Sequence, residues 1–285
     1  MIPAAFEYVR PSSVDEAVQA LGSGDDVKLL AGGQSLIPVM RLRLAAPETV
    51  VDIGRIDELR GVREEGDAIV IGAMTTHDEV MHDALIGQHA ALIAAANATV
   101  ADRQVRHLGT FGGALAHADP AGDLPAVALA LDAEMVVAGP NGRRTVSAED
   151  FFVDYLTTAL EDTELLVEIR VPKLGGEWGT HYEKFNRVAQ AWAIVGVAAA
   201  VRRDNGTIAE ARIGLTNMST VPVRASGVES ALTGGQASAE AIAAAAEHAG
   251  EGANPTDDLN AKADYRTHLA TVLTRRAVGA AAGLG

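Results

Sequence analysis

The chain of 285 residues contains no cysteine. Without a thiol it cannot form a disulfide, use a thiolate nucleophile or ligate an iron–sulfur cluster through cysteine. Any such cluster would therefore belong to a partner. Aromatic residues are also scarce, at 4% of the chain, which leaves alanine, valine, leucine and isoleucine to fill the cores.

Basic residues and long apolar runs are also in short supply. The chain has 23 Lys and Arg against 38 Asp and Glu, a formal net charge of −15, which argues against nucleic-acid binding through phosphates. Apolar runs such as 193–201 are far shorter than the roughly 20 residues that span a bilayer. The N-terminus does not resemble a signal peptide. We therefore expect a cytoplasmic protein without a transmembrane segment.

Helical and strand patterns alternate along the chain and predict an α+β fold. Ser13 and Glu16 have the spacing of a capping box before a helix that ends at Gly22. The predicted strands are 28–30, 50–53, the hairpin 62–73, 134–138, 165–171, 182–188, 194–202 and 208–216; the predicted helices are 36–44, one from about 75, 90–100, 124–131, 237–249 and 262–280. The glycine-rich segment 173–179 has the composition of a linker, and we expect the domain boundary there.

The glycine-rich stretch 99–125 contains Gly109, Gly112, Gly113 and Gly122. So many positions without a side chain suggest a backbone that approaches a ligand closely. A second loop, Ala31-Gly32-Gly33-Gln34-Ser35, joins a predicted strand to a helix. Its N–H groups could hold a pyrophosphate, although a structural turn explains the pattern equally well. Neither the dinucleotide fingerprint nor the nucleoside-triphosphate loop motif is present.

Four other side chains are candidates for a site. Asp119 has the position of a turn cap and Asp123 that of the cap of a helix from about residue 124. Lys184 lies on an alternating strand pattern that predicts a solvent-facing side chain. Trp192 fits either a core position or a contact with a flat cofactor. The histidine spacings do not suggest a metal site, and no Ser-His-Asp set can be argued, so we predict no catalytic and no metal-binding residue.

Three segments carry a family resemblance. They are KLLAGGQSLIPVMRLRL from Lys28, QVRHLGTFGGALAHADPAGDLPA from Gln104, and the strand pair LLVEIRVP and YEKFNRVAQAWAIVGVA. In this order they resemble the FAD-binding medium subunit of molybdenum hydroxylases, the family of xanthine dehydrogenase and aerobic carbon monoxide dehydrogenase. The first two segments resemble the carbon monoxide dehydrogenase branch best.

The resemblance implies an FAD-binding domain of the two-subdomain PCMH type over residues 1–175, with subdomains of about 1–57 and 58–175. A C-terminal domain, residues 176–285, would add a three-stranded antiparallel sheet and helices. Trp192 stands where many relatives have a tyrosine, and the resemblance implies that it flanks the flavin. The implied cofactor-binding residues are Leu29, Leu30, Ala31, Gly32, Gly33, Gln34, Ser35, Leu36, Thr110, Gly112, Gly113, Ala114, Asp123, Leu166, Val167, Lys184 and Trp192.

The resemblance further implies an electron-transfer subunit in a heterotrimer. A large subunit would hold the molybdenum–molybdopterin cofactor and a small subunit would hold [2Fe–2S] clusters, and the complex would be a dimer of heterotrimers. Electrons would reach FAD in this chain and then an external acceptor such as a quinone, with membrane association only through the complex. The alternatives are the medium subunit of an enzyme that hydroxylates nicotine, caffeine or xanthine, a cofactor-free scaffold, and a self-contained flavin oxidase.

Overall fold

The computed structural model describes residues 1–175 and 177–284, and it confirms the predicted α+β class. The strands are β1 Glu7–Val9, β2 Val27–Leu30, β3 Thr49–Asp52, β4 Val62–Glu65, β5 Ala68–Gly72, β6 Glu134–Gly139, β7 Gly142–Ser147, β8 Phe152–Asp154, β9 Thr157–Thr158, β10 Leu165–Pro172, β11 Trp178–Phe185, β12 Val195–Asp204, β13 Thr207–Thr216 and β14 Val223–Arg224.

The α-helices are short except for the last one. They are α1 Val14–Leu21, α2 Leu36–Arg41, α3 His77–His82, α4 Ala84–His89, α5 Ala91–Ala98, α6 Arg103–Arg106, α7 Phe111–His117, α8 Asp123–Ala130, α9 Ala148–Phe151, α10 Ser226–Leu232, α11 Ala239–Ala246 and α12 Ala263–Ala281. Two 3-10 turns, Asp57–Leu59 and Glu247–Gly250, complete the set. Within residues 1–175 and 177–284, no helix combines the length and apolarity needed to cross a membrane.

Within the described residues, the strands form three main sheets and one small hairpin. The first sheet is parallel in the order β1-β3-β2, the second is antiparallel in the order β4-β5-β10-β6-β7, and β8 pairs with β9. The C-terminal sheet is antiparallel in the order β11-β12-β13-β14. This sheet was expected to have three strands. The fourth, β14, was not predicted because a strand of two residues leaves no alternation pattern to detect.

The first two sheets share a hydrophobic core. Val14, Ala17 and Leu21 lie on one face of α1 and are buried. They belong to one cluster with Val51 of β3 and Val167 of β10. The parallel sheet and the five-stranded sheet are therefore joined through one core.

Helix α8 links the N-terminal part, residues 1–175, to the C-terminal sheet. All eight of its residues are buried, as expected for a helix covered on every face. A side chain at Gly214 of β13 would overlap the carbonyl oxygen of Ala126 of α8. The absence of a Cβ therefore lets α8 lie directly against the sheet.

Local expectations differ from the structure in several places. Trp178 and Gly179, expected in a linker, begin β11, and Gly176 lies outside the described residues. Helix α10 was not predicted, since its short sequence SGVESAL has a weak helical pattern. Only half of the predicted capping box forms, because the Glu16 carboxylate accepts from Ser12 while Ser13 accepts from the Glu16 N–H.

Candidate functional site

A cavity of about 600 Å³ opens between β2, the stretch 109–125 and the segment 184–192. Its volume lies within the range typical of cofactor sites, about 300–1,000 Å³. The wall includes most of the residues proposed from the resemblance: Leu29, Ala31, Gly32, Gly33, Gln34, Ser35, Leu36, Thr110, Gly112, Gly113, Ala114, Asp123, Leu166, Lys184 and Trp192. The fold therefore brings together segments that are far apart in sequence.

Two of the proposed residues do not line the cavity. Val167 is buried in the core shared by the first two sheets. Leu30 instead packs near Gly33, where an added Cβ would lie 3.2 Å from the Leu30 Cδ1 atom. Leu30 and Val167 therefore lie behind the residues that line the cavity, and their contact with a cofactor stays a prediction.

The loop Ala31 to Ser35 presents free hydrogen-bond donors. Gly33 has φ +73°, the left-handed region that favours glycine, and it turns the chain from β2 into α2. In the described part of the chain, no protein acceptor pairs with the backbone N–H groups of residues 32–35. A row of unpaired N–H groups on one turn suits an anionic group such as a diphosphate.

The segment Thr110 to Ala114, predicted as a second loop, is instead the N-cap and first turn of α7, and protein acceptors take its N–H groups. Phe111 donates to the carbonyl of Thr75 at 2.9 Å and Gly112 to that of Ala73 at 3.0 Å. The Gly113 N–H donates to the hydroxyl of Thr110, 3.1 Å away. The start of α7 therefore supplies a wall whose N–H groups are already paired, while the free donors come from the loop Ala31 to Ser35.

Close protein contacts account for two of the glycines. A side chain at Gly32 would overlap the Leu108 carbonyl oxygen and lie 2.7 Å from Gly109 Cα. One at Gly112 would lie 2.6 Å from Ala73 Cα. The sequence predicted that these positions lack a side chain because a ligand approaches the backbone there. At these two positions the requirement comes from protein backbone, and Gly32 lets the two loops pack against each other.

A buried polar group connects the cavity wall to the C-terminal sheet. Asp123 accepts from Lys184 Nζ at 2.8 Å and from the Tyr182 hydroxyl at 2.7 Å, and Lys184 also donates to the Thr99 carbonyl at 3.1 Å. The prediction that Asp123 caps a helix is wrong, because the cap position of α8 is Gly122 and Asp123 is the first helical residue.

The prediction that Lys184 faces solvent is also wrong. Its side chain is only 5% exposed. Tyr182 and Lys184 are two residues apart on β11, and strand geometry places them on one face. That face is covered by the N-terminal part through Asp123 and Thr99. The predicted alternation of side chains along the strand is therefore correct, but the face predicted to be exposed is the buried one.

Burial controls the protonation of this group. It raises the pKa of Asp123, while the Lys184 charge and the hydrogen bonds from Lys184 and Tyr182 lower it in part. Burial, with the Asp123 charge, raises the pKa of Tyr182 well above its ordinary value. The phenol thus stays protonated and donates to Asp123, which also accepts from Lys184 at the cavity wall.

His77 is a wall residue that no sequence pattern singled out. Its Nδ1 atom lies 2.7 Å from Asn97 Oδ1, and the amide nitrogen of Asn97 donates to the Ile93 carbonyl. This arrangement makes Nδ1 the donor and leaves Nε2 as an acceptor. Burial lowers the pKa of His77 to about 4. Across the described residues, no three His, Asp or Glu side chains are grouped as metal ligands.

Trp192 lies at the edge of the cavity. It is 55% exposed, which rules out a core position. Next to it, the Ala193 carbonyl accepts from the Asn217 side chain at 2.7 Å. Asp119 caps a turn as predicted, since it accepts from the Ala121 N–H at 2.9 Å. The indole therefore stands beside the cavity on a segment anchored at its base.

Comparison with known proteins covers the whole chain. The family described as the FAD binding domain in molybdopterin dehydrogenase matches residues 4–174, and the CO dehydrogenase flavoprotein C-terminal domain matches residues 180–281. The carbon monoxide dehydrogenase medium chain of Hydrogenophaga pseudoflava is 46% identical over 99% of this chain and 98% of that one. The nicotine 6-hydroxylase medium subunit of Paenarthrobacter nicotinovorans is 34% identical over 96% of each chain.

The fold agrees with these matches. A solved structure of carbon monoxide dehydrogenase from Hydrogenophaga pseudoflava that lacks the Mo-pyranopterin moiety superimposes with a TM-score of 0.97 and 47% identity. The match covers 100% of this chain and 99% of that one. This chain therefore belongs to the family of FAD-binding medium subunits of molybdenum-containing dehydrogenases.

Proposed function

We propose that the cavity binds FAD and that the chain transfers electrons within a heterotrimeric molybdenum hydroxylase, most specifically an aerobic carbon monoxide dehydrogenase. The observation that carries this proposal is the row of unpaired N–H groups on residues 32–35, at the wall of a cavity of about 600 Å³. Such donors match a diphosphate.

The other wall residues are also suited to FAD. Lys184 provides one buried cation whose charge is held by Asp123, and Trp192 provides a flat aromatic surface at the cavity edge. Thr110, Gly113 and Ala114 continue the wall beside Ala31. When bound, FAD supplies the redox chemistry, since a flavin exchanges electrons singly or in pairs. These residues bind and orient it.

The partners follow from what this chain lacks. It has no cysteine with which to hold an iron–sulfur cluster. The proposed electron donor is therefore a small subunit with [2Fe–2S] clusters, which receives electrons from a large subunit that carries the molybdenum cofactor. Two heterotrimers form the assembly. An external acceptor, such as a quinone, reoxidises the flavin.

The substrate of the large subunit is assigned by similarity. The carbon monoxide dehydrogenase relative has 46% identity and the nicotine 6-hydroxylase relative has 34%, which favours carbon monoxide over an N-heterocycle such as nicotine, caffeine or xanthine. A cofactor-free scaffold would not require a row of free N–H groups. A self-contained flavin oxidase is the alternative that predicts turnover by this chain alone.

Anaerobic reduction of the complex tests this proposal. The complex is purified through a tag on this chain, and the flavin absorbance is followed after addition of carbon monoxide, nicotine, caffeine or xanthine. We expect bleaching with carbon monoxide. Bleaching with a heterocycle alone would favour the alternative substrate class, and a complex that releases no flavin on denaturation would support a scaffold. Turnover by the separated chain supplied with FAD would support an oxidase.

A further inference from the structure

An exposed apolar surface lies next to the glycine loop. Leu42 and Leu44 are 58% and 76% exposed, and Met1, Ile2 and Ile37 are exposed as well. The Nε atom of Arg41 lies 3.5 Å from the Met1 carbonyl oxygen, which places the chain start beside the end of α2. We call these five apolar residues, with Arg41 and Arg43, the N-terminal apolar surface.

The turn that displays Leu44 has an unfavourable residue at its centre. Arg43 N–H donates to Met40 and Leu44 N–H to Val39, the hydrogen bonds of a Schellman motif after α2. Arg43 has φ +58°, the left-handed position that glycine normally occupies. The residue after it usually packs on the helix, but Leu44 is largely exposed. Departures from local rules of this kind are typical of functional surfaces.

The charge of this region differs from that of the chain. Residues 28–47 contain Lys28, Arg41 and Arg43 and no acidic residue, whereas the whole chain has a net charge of −15. Lys28 lines the cavity, but neither arginine does. Within the described residues, neither arginine forms an ion pair, as the salt bridges involve other side chains. Binding of a cofactor in the cavity therefore explains the positive charge at Lys28 but not the positive charges of the two arginines.

We propose that the N-terminal apolar surface docks a partner subunit whose contact face presents carboxylates beside an apolar socket. The inference rests on the proposed function, which places the chain in a complex. Exposed leucines flanked by unpaired arginines match the usual composition of a protein interface, with an apolar centre and a charged rim. A membrane fits less well, because anionic lipid recognition uses clusters of four to eight cations and this chain is strongly acidic.

Complex assembly with variants of Leu44 tests the proposal. The complex is purified from cells that express tagged Leu44→Asp, and the recovery of partner subunits is measured by native mass spectrometry. A matched control is Leu259→Asp, because Leu259 is 99% exposed and lies outside this surface. We expect Leu44→Asp to weaken association at least about tenfold, as for an interface anchor, with the control unchanged. Normal assembly of Leu44→Asp would overturn the proposal.

Arg43→Gly separates docking from folding. Glycine at φ +58° relieves the left-handed strain, so the variant should unfold at a higher temperature than the wild type. If Arg43 serves docking, the same variant should assemble less well. Stabilisation with unchanged assembly would contradict a role for its charge.

Two further readouts separate docking from cofactor loss and from membrane binding. The FAD content of the tagged chain is measured in parallel. Loss of assembly with FAD retained bears on the docking proposal alone. A wild-type complex without FAD would contradict the proposed function. Co-sedimentation with phosphatidylserine vesicles measures membrane binding. If the wild type binds vesicles and Leu44→Asp does not, while Leu44→Asp still assembles with its partners, the proposal of a subunit interface would be overturned.

Discussion

Lys184 Nζ and Asp123 Oδ2 are 2.8 Å apart in a site where both side chains are nearly completely buried. Asp123 begins α8 in the N-terminal part, and Lys184 lies on β11 of the C-terminal sheet. Both residues line the cavity. The cavity is therefore lined by both parts of the chain, and the ion pair joins its wall to the C-terminal sheet.

Loss of one partner of this pair is expected to be costly. In Asp123→Asn the Lys184 charge stays buried without a counter-charge, and the free energy of unfolding should fall by about 3–5 kcal/mol. Urea unfolding measures this change. The control is the double variant Asp123→Asn with Lys184→Met, which removes both charges and should be less destabilised than the sum of the single variants. Additive effects would contradict the coupling.

Contact between the two glycine loops predicts a sharp effect at Gly32. In Gly32→Ala the new methyl group meets the backbone of Leu108 and Gly109, so the row of N–H donors must move. Loss of one charge-assisted hydrogen bond, about 1.5–3 kcal/mol, corresponds to at least about tenfold weaker FAD binding. Fluorescence titration of the deflavinated complex measures it. Gly87→Ala is the control, because a side chain there meets no atom within 4 Å.

Gly113 allows a second test of the same wall. A Cβ at this position would lie 2.6 Å from Thr110 Oγ1, the atom that caps α7 through the Gly113 N–H. Gly113→Val should therefore displace Thr110 and prevent FAD uptake in a folded protein. Circular dichroism checks the fold, and flavin release by heating measures the content. A folded Gly113→Val protein with normal flavin content would contradict this role of the loop.

His77 predicts a specific pH dependence of stability. Its pKa is about 4 in the folded chain, against about 6.5 when unfolded. As the pH falls below 6.5 the unfolded state takes up the proton first, so stability is lost on acidification. Between pH 8 and pH 5 this histidine should account for a loss of about 2 kcal/mol. Chemical unfolding of His77→Gln should show a shallower dependence over this range. An unchanged slope would argue against a neutral buried histidine.

The motifs predicted the location of the site better than its contacts. Gly32 and Gly112 were recognised as special from glycine density alone. Their physical reason, close approach of Leu108, Gly109 and Ala73 backbone, depends on neighbours that are distant in sequence. A sequence pattern identifies a position that tolerates no side chain, but it does not identify the group that occupies the space.

The same limit accounts for the errors at Asp123 and Lys184. Both local interpretations, a helix cap and an exposed strand residue, used neighbours within a few positions. The residues are 61 positions apart, and only the packing of α8 on the C-terminal sheet brings them together. His77 was missed for a similar reason, since burial and Asn97 determine its protonation. The regular elements were predictable because their periodicity is local.

The FAD content of the complex tests the central claim most directly. The complex is purified through a tag on the wild-type chain and, in parallel, on Gly32→Ala and Gly87→Ala, and the released flavin is identified by chromatography. We predict about one FAD per wild-type chain, the same content for Gly87→Ala and a clear loss for Gly32→Ala, because only Gly32 positions the free N–H groups. A wild-type complex without FAD, or full FAD content in Gly32→Ala, would contradict the proposed role of this loop.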